Sequence, residues 1–116
     1  MGETRVLLKL YGPRGSAGLQ TVADTGATFT KISQAVAAKL GIETKYETQV
    51  ELADGRVVTR CLALAEVEIE GVRRPVLVAI GGDDETPLLG YTTLEALGFK
   101  VNPVTRKLEK AMAIEY

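Results

Sequence analysis

The 116-residue chain contains no histidine, no tryptophan and one cysteine, Cys61. Without histidine it cannot build a Ser-His-Asp or Cys-His catalytic group. One cysteine excludes an internal disulfide, and the missing histidines leave only carboxylates for a zinc ion, which excludes an ordinary zinc site. Because Cys61 lies in an apolar run, we expect a small buried hydrophobe and not a nucleophile. Acid–base chemistry must therefore come from Asp, Glu, Lys or Tyr side chains.

Long apolar runs and an excess of either charge are also missing. No run of about 18 apolar residues predicts a membrane span, and the N-terminal residues lack the pattern of a signal peptide. With a net charge of -1, the chain lacks the excess of basic residues that is typical of nucleic-acid-binding proteins. The apolar content of 46% is enough for a folded core. We expect one domain over residues 1–116, in the cytoplasm, with neither a membrane nor a nucleic acid as partner.

The N-terminal part of the chain has the pattern of a hairpin followed by a helix. Short apolar segments predict strands over residues 5–10 and 19–23, joined through the glycines and proline of residues 11–16. Farther on, Ile32, Ala35, Val36 and Leu40 recur at helical spacing. They predict a helix over residues 31–40, ended by Gly41.

Two more hairpins are predicted in the middle of the chain. Residues 49–53 and 56–60 flank Asp54-Gly55, a pair typical of a two-residue turn with positive φ at both positions. Residues 62–69 and 74–80 flank the next turn, and alternating glutamates predict one buried and one solvent-facing side of this pair. The acidic residues 81–85 are expected to form a solvated loop, since their spacing does not match a calcium-binding EF-hand.

The C-terminal part predicts a strand, a short helix and a last turn. An apolar strand over residues 87–91 contains Gly90, and Thr92 with Glu95 has the spacing of a capping box. The helix would end at Gly98. Residues 99–101 and 107–109 flank a final turn. The tail, residues 111–116, is expected either to fray or to pair with a partner chain.

One segment combines an acid, a strand end and a glycine. Residues 22–28, Val-Ala-Asp-Thr-Gly-Ala-Thr, place Asp24 at the end of an apolar strand and then turn sharply at Gly26. Holding a carboxylate rigidly and half out of water is costly unless its charge is used. Asp24 is therefore the candidate catalytic residue.

The segment Asp24-Thr25-Gly26-Ala27 resembles the signature of the retropepsins, the single-domain aspartic proteases of retroviral type and their cellular relatives. Ala53-Asp54-Gly55 resembles the tip of their flap hairpin, and Leu88-Leu89-Gly90 resembles the strand before their C-terminal helix. The three segments follow the family's order and approximate spacing. The resemblance implies a mainly β fold: a closed acid-protease barrel with one or two short helices, forming half of a two-fold homodimer.

The resemblance also implies an aspartic endopeptidase that uses no cofactor or metal and hydrolyses extended peptide or protein substrates. Two carboxylates sharing one proton can activate a water and protonate the leaving group, so we expect an acidic activity optimum. Since the chain has one Asp-Thr-Gly, Asp24 would pair with Asp24 of another copy, which two-fold symmetry permits.

The resemblance assigns supporting roles to the neighbouring residues. Thr25 would bond across the dimer interface, Gly26 would bind the carboxylates through its N–H, and Ala27 would face the substrate backbone. The flap residues Ala53, Asp54, Gly55 and Arg56 would close over the substrate. Candidate apolar linings, most of them expected in the core, are Leu7, Val58, Val78, Ile80 and Leu88.

Three alternatives remain open at this point. A retropepsin-fold dimer can be catalytically inactive and act as a peptide-binding or assembly module. Asp24 can also cap an ordinary Asx turn in a small β-rich domain. A two-carboxylate glycosidase would need a second acid placed by the fold, and the sequence points to none.

Overall fold

A computed structural model describes residues 3–115 and is mainly β, as predicted. None of the described helices is long and apolar enough to cross a membrane. The elements in chain order are β1 Arg5–Gly12, β2 Gly15–Asp24, β3 Thr30–Ser33, α1 Gln34–Leu40, β4 Tyr46–Glu51, β5 Val57–Ile69, β6 Val72–Gly81, β7 Leu88–Gly90, α2 Tyr91–Leu97, β8 Phe99–Asn102 and β9 Lys107–Lys110.

Six strands close into a barrel in the order β1-β2-β7-β3-β6-β5, with β5 pairing back onto β1. The predicted closed barrel is therefore confirmed. β4 pairs only with the first half of β5, so the two strands extend from the barrel as a hairpin arm. β8 and β9 form a separate two-stranded sheet, and residues 111–115 have no regular structure. Tyr116 lies outside the described residues.

The insertion of β7 between β2 and β3 determines the geometry of the site. β7 is parallel to β2, with Asp24 opposite Gly90, and antiparallel to β3, with Lys31 opposite Leu88. Parallel neighbours need a long connection, and here that connection contains β3 to β6. The topology therefore brings the end of β2 beside a strand from the C-terminal third of the chain.

The barrel interior is filled by alternating strand residues from all sides. Burying each large aliphatic side chain contributes about 1.5–3 kcal/mol, which makes this interior the main stabilising element. The predicted alternation holds on β5, where Ala65, Val67 and Ile69 are buried. The largest fully buried aliphatic side chains are Leu8, Leu10, Ile32, Leu40, Val67, Val78 and Leu89.

The predicted helix over residues 31–40 starts too early. Ile32 belongs to β3, where it lies opposite Ile80 of β6, and the helix begins at Gln34 after the N-cap Ser33. The Ser33 hydroxyl accepts a hydrogen bond from the Val36 N–H, a favourable helix start. Ile32 fits the helical period by chance, since a buried strand residue is equally apolar. Gly41 ends the helix with a φ of 70°, as predicted.

The two-residue turn predicted at Asp54-Gly55 is wrong. Asp54 does not have positive φ; Gly55 has a φ of 88°, and the Leu52 N–H donates to the Arg56 carbonyl at 2.7 Å. This pattern is typical of a three-residue loop. The two-residue turn with both φ values positive occurs instead at Glu70 and Gly71, with φ of 49° and 83°. The strand predicted to end near residue 60 continues to Ile69, because β5 pairs with β4 and then with β6.

Candidate active site

Asp24 is the last residue of β2 and its carboxylate is fixed by the turn that follows. The Gly26 N–H donates to Asp24 Oδ1 at 2.9 Å, and the Ala27 N–H donates to the Asp24 carbonyl at 3.0 Å. A Cβ atom on Gly26 would lie 3.3 Å from Oδ1, so a side chain there would crowd the carboxylate. Asp24 itself is half-buried. Its carboxylate is thus oriented by backbone while one side remains accessible.

The loop after Asp24 is held from behind by the first turn of α2. The Tyr91 N–H donates to the Ala27 carbonyl at 2.8 Å, and both the N–H and the hydroxyl of Thr92 donate to the Thr28 carbonyl. The first N–H groups of a helix have no partner within the helix, and here the loop supplies acceptors. The predicted capping box is therefore wrong: Gly90 is the N-cap of α2, and its cap makes no side-chain hydrogen bond. Gly98 ends α2 as predicted.

Gly90 and two buried threonines fix the position of β7. A Cβ atom on Gly90 would lie 2.3 Å from the Phe29 carbonyl carbon, so only glycine allows this approach. The Thr30 hydroxyl accepts the Gly90 N–H at 3.1 Å and donates to the Thr93 hydroxyl at 2.7 Å. Sequence reasoning missed Thr30 and Thr93. No local pattern marks them, because their partners are distant along the chain.

A cleft of about 780 Å³ opens beside Asp24. One wall comes from the Asp24 loop and the other from residues 49–53 at the end of the arm. The lining residues are Asp24, Gly26, Ala27, Thr28, Phe29, Lys31, Gln49, Val50, Glu51, Leu52, Ala53, Arg60, Ala79 and Leu88. The structure therefore brings the candidate Asp24, Gly26 and Ala27 to the same cleft as Ala53.

The other candidate residues lie at the margins of this cleft. Thr25 is exposed in the single chain, as are Asp54, Gly55 and Arg56 at the tip of the arm. Among the candidate apolar linings, Leu88 faces the cleft, whereas Val78 is buried in the barrel and Leu7 is exposed elsewhere. Val58 and Ile80 are half-buried and are not among the lining residues.

The tip of the arm contains an ion pair between near neighbours. Asp54 Oδ1 accepts the Arg56 N–H at 3.0 Å, and Asp54 Oδ2 accepts the Arg56 Nε–H at 2.7 Å. The backbone hydrogen bond first, and then the side-chain one, lower the pKa of Asp54. Both side chains remain largely in solvent. These hydrogen bonds order the tip from within.

The inner part of the cleft contains a second, less exposed charge cluster. Glu85 accepts hydrogen bonds from Arg60 Nη1 and Nη2 at 3.0 and 2.7 Å and from Lys31 Nζ at 3.0 Å. The Arg60 hydrogen bonds, followed by the Gly82 N–H and Lys31, lower the pKa of Glu85 to about 2. Glu85 is therefore not simply solvated, contrary to expectation. Within residues 3–115, no group of three or more His, Cys, Asp and Glu side chains could hold a metal ion.

A family model for aspartyl proteases matches residues 14–93. This range includes the Asp-Thr-Gly loop, the arm and the Leu-Leu-Gly strand. No curated protein matches the chain significantly. The family match covers more than half of the chain and agrees with the closed barrel, in which Asp24 ends strand β2. The chain therefore belongs to the retropepsin-like aspartyl protease family.

Proposed function

We propose that the protein is a homodimeric aspartic endopeptidase in which Asp24 from each of two copies forms the catalytic dyad. The observation that carries this proposal is the Asp24 carboxylate, fixed by the Gly26 N–H and facing a cleft long enough to involve the arm. Membership in an aspartyl protease family supports a peptidase that acts on peptide substrates.

The described part of a single chain offers no second acid suited to this role. Besides Asp24, the acidic residue that lines the cleft is Glu51. Glu51 lies opposite Val57, and both are exposed, whereas the neighbouring pair Val50 and Val58 is half-buried. Since strand residues alternate between faces, the Glu51 side chain projects from the face of the arm opposite to that of Val50 and Val58. The second carboxylate would thus come from another copy, and a two-fold axis lets residue 24 meet itself.

Such a dyad would catalyse hydrolysis with one shared proton. As the water oxygen bonds to the peptide carbonyl carbon, the ionised carboxylate takes a water proton and the protonated one gives its proton to the carbonyl oxygen. In the next step the carbon–nitrogen bond breaks. The amide nitrogen receives a proton from one carboxyl group, and a hydroxyl of the tetrahedral diol returns a proton to the other. The products are a carboxylic acid and an amine, and the dyad again holds one proton.

The neighbouring residues would support this chemistry. Exposed Thr25, next to Asp24, is available to bond to the second copy. The Gly26 N–H would hold the dyad carboxylate, as it holds Asp24 Oδ1 here, and Ala27 would face the substrate backbone. The tip residues Ala53 to Arg56 would close over an extended peptide and exclude water.

The test compares Asp24→Asn with Asp84→Asn, an exposed acid in the loop after β6 and outside the cleft. Peptide-library cleavage should fall at least about a hundredfold in Asp24→Asn, because the dyad loses an acid–base group, and stay unchanged in Asp84→Asn. Light scattering should show a dimer in all three proteins. Cleavage by Asp24→Asn at the parent rate, or a monomer at every concentration, contradicts the proposal. Peptide binding by the parent without turnover favours the inactive binding module.

A further inference from the structure

The carboxylate of Glu85 has no spare acceptor capacity. It accepts hydrogen bonds from Lys31, twice from Arg60, and from the Gly82 N–H at 2.7 Å. A carboxylate offers about four acceptor positions, so these bonds occupy all of them. Glu85 therefore holds the two cations in place but cannot satisfy their remaining donors.

The two cations keep several N–H donors that have no protein partner. A guanidinium has five N–H groups and an ammonium has three. Arg60 gives two of these to Glu85 and Lys31 gives one, and no other hydrogen bond from either side chain is formed within residues 3–115. Both side chains line the cleft, yet they are only 16% and 19% exposed. The cluster of Lys31, Arg60 and Glu85 thus carries one net positive charge and a surplus of donors.

The surroundings of this cluster do not supply the missing acceptors. Arg60 lies opposite Thr48 and shares a face of the arm with Val50 and Val58, whereas Glu51 belongs to the other face. Asp24 is separated from Lys31 by β7, so two strand spacings place them on the order of 10 Å apart. Apolar neighbours form much of the remaining lining: Phe29, Val50, Leu52, Ala79 and Leu88. Within residues 3–115 no buried side-chain nitrogen lacks a hydrogen-bond partner, and a charged acceptor that reaches the two cations from the cleft would add strong hydrogen bonds.

We infer that Arg60 and Lys31 are specificity-determining residues that bind an acidic side chain of the substrate. The peptide would place Asp or Glu against the unused N–H groups and apolar side chains against the rest of the cleft. An extended peptide rises about 3.3 Å per residue, so this acid lies within about three residues of the bond that is cleaved. The inference rests on the proposed function and names the substrate class of the same site.

The experiment uses peptide pairs that differ only by Glu or Gln at each position within about three residues of the cleaved bond. For one position the parent should show a kcat/KM about tenfold higher for Glu, the size expected for a charge-assisted hydrogen bond. Arg60→Gln should bring the ratio of kcat/KM for the Glu peptide to that for the Gln peptide close to one. Arg60→Lys should retain part of the preference, and added salt should reduce it. Arg74→Gln is the matched control, because Arg74 is exposed on β6 and outside the cleft.

Binding of the same peptides to Asp24→Asn separates this inference from the proposed function. Preferential binding of the Glu peptide without cleavage by the parent would support the inference and contradict the protease. Equal binding of Glu and Gln peptides at every position would overturn the inference while leaving the proposed protease function intact. Binding of neither peptide would also overturn the inference. A preference unchanged in Arg60→Gln also overturns it. If Arg60→Gln does not fold, as judged by circular dichroism, Lys31→Gln takes its place with the same expected loss.

Discussion

The two walls of the cleft are stabilised in opposite ways. The Asp24 loop is held by distant parts of the chain, because α2 donates hydrogen bonds to its carbonyls and β7 pairs with β2 at Asp24. The tip of the arm is held by neighbours in sequence: Asp54 binds Arg56, and Gly55 binds the Leu52 carbonyl. Tertiary contacts therefore fix the acid, whereas the hydrogen bonds that order the tip of the arm are local.

This difference suits the roles proposed for the two walls. A carboxylate that acts as acid and base must stay within a fraction of an ångström of its working position. A cover must admit and release a peptide, and segments with few long-range contacts open at low free-energy cost. We therefore expect perturbations of the Asp24 wall to affect folding and perturbations of the tip to affect mainly substrate handling.

The largest expected effect is that of Gly90→Ala. The new Cβ atom would overlap the Phe29 and Thr30 backbone at 2.3 to 2.7 Å, and neither β7 nor β3 can move away without breaking the barrel. Urea denaturation should show a loss of at least about 4 kcal/mol in the free energy of unfolding, a size reserved for such core disruptions.

Gly55→Ala at the arm tip is the matched control for Gly90→Ala. No atom lies within 4 Å of its added Cβ, but φ is 88°, so the cost is the backbone term alone, about 1 kcal/mol. Equal losses in the two variants would show that the Asp24 wall is no more constrained than the tip.

Glu85 gives an intermediate effect that depends on pH. Its pKa is lowered from 4.5 to about 2 in the folded chain, so its stabilisation is complete above pH 5 and is lost as pH falls from about 4.5 toward 2. Between pH 5 and pH 2 the free energy of unfolding of the parent should fall by on the order of 1–3 kcal/mol more than that of Glu85→Gln; this range is reduced because Glu85 is partly exposed. Thermal unfolding of both proteins across this pH range measures the difference. If the stability of the two proteins falls equally from pH 5 to pH 2, Glu85 does not have the lowered pKa.

The smallest expected effect is that of Asp54→Asn. The Asp54–Arg56 pair is exposed, and such pairs contribute little to folding. The melting temperature should change by less than about 2 °C, and kcat/KM for peptides by no more than a few-fold. A large drop in melting temperature would mean that the tip has structural ties comparable to those of the Asp24 loop.

Local chemistry explains which features the sequence could predict. Gly41 and Gly98 end their helices because positive φ is a single-residue property, and the alternation on β5 predicts its buried face. The Asp-Thr-Gly loop could be placed at a strand end because an apolar segment precedes it and a glycine lies within it. The barrel followed from the family resemblance, because the pairing of β7 with β2 is not encoded in any short segment.

The features that escaped prediction depend on distant partners. Ile32 matches a helical period and a buried strand equally well, and only pairing with β6 decides between them. Thr30 and Thr93 look like ordinary polar residues until the fold buries them together. Glu85 resembles its acidic neighbours in the loop, and its ties to Lys31 and Arg60 arise only when β3, β5 and the loop converge.

Mixing parent and Asp24→Asn chains tests most directly whether two copies share one active site. At equal amounts, a fixed total concentration well above dimer dissociation and full exchange of subunits, random pairing leaves about one quarter of the dimers with two aspartates. If the active site is shared, the peptide-cleavage activity should be about one quarter of that of pure parent at the same total concentration. Across other mixtures the activity should follow the square of the parent fraction. Activity at about one half, falling linearly with the parent fraction, would mean that each chain carries a complete site and would contradict the account.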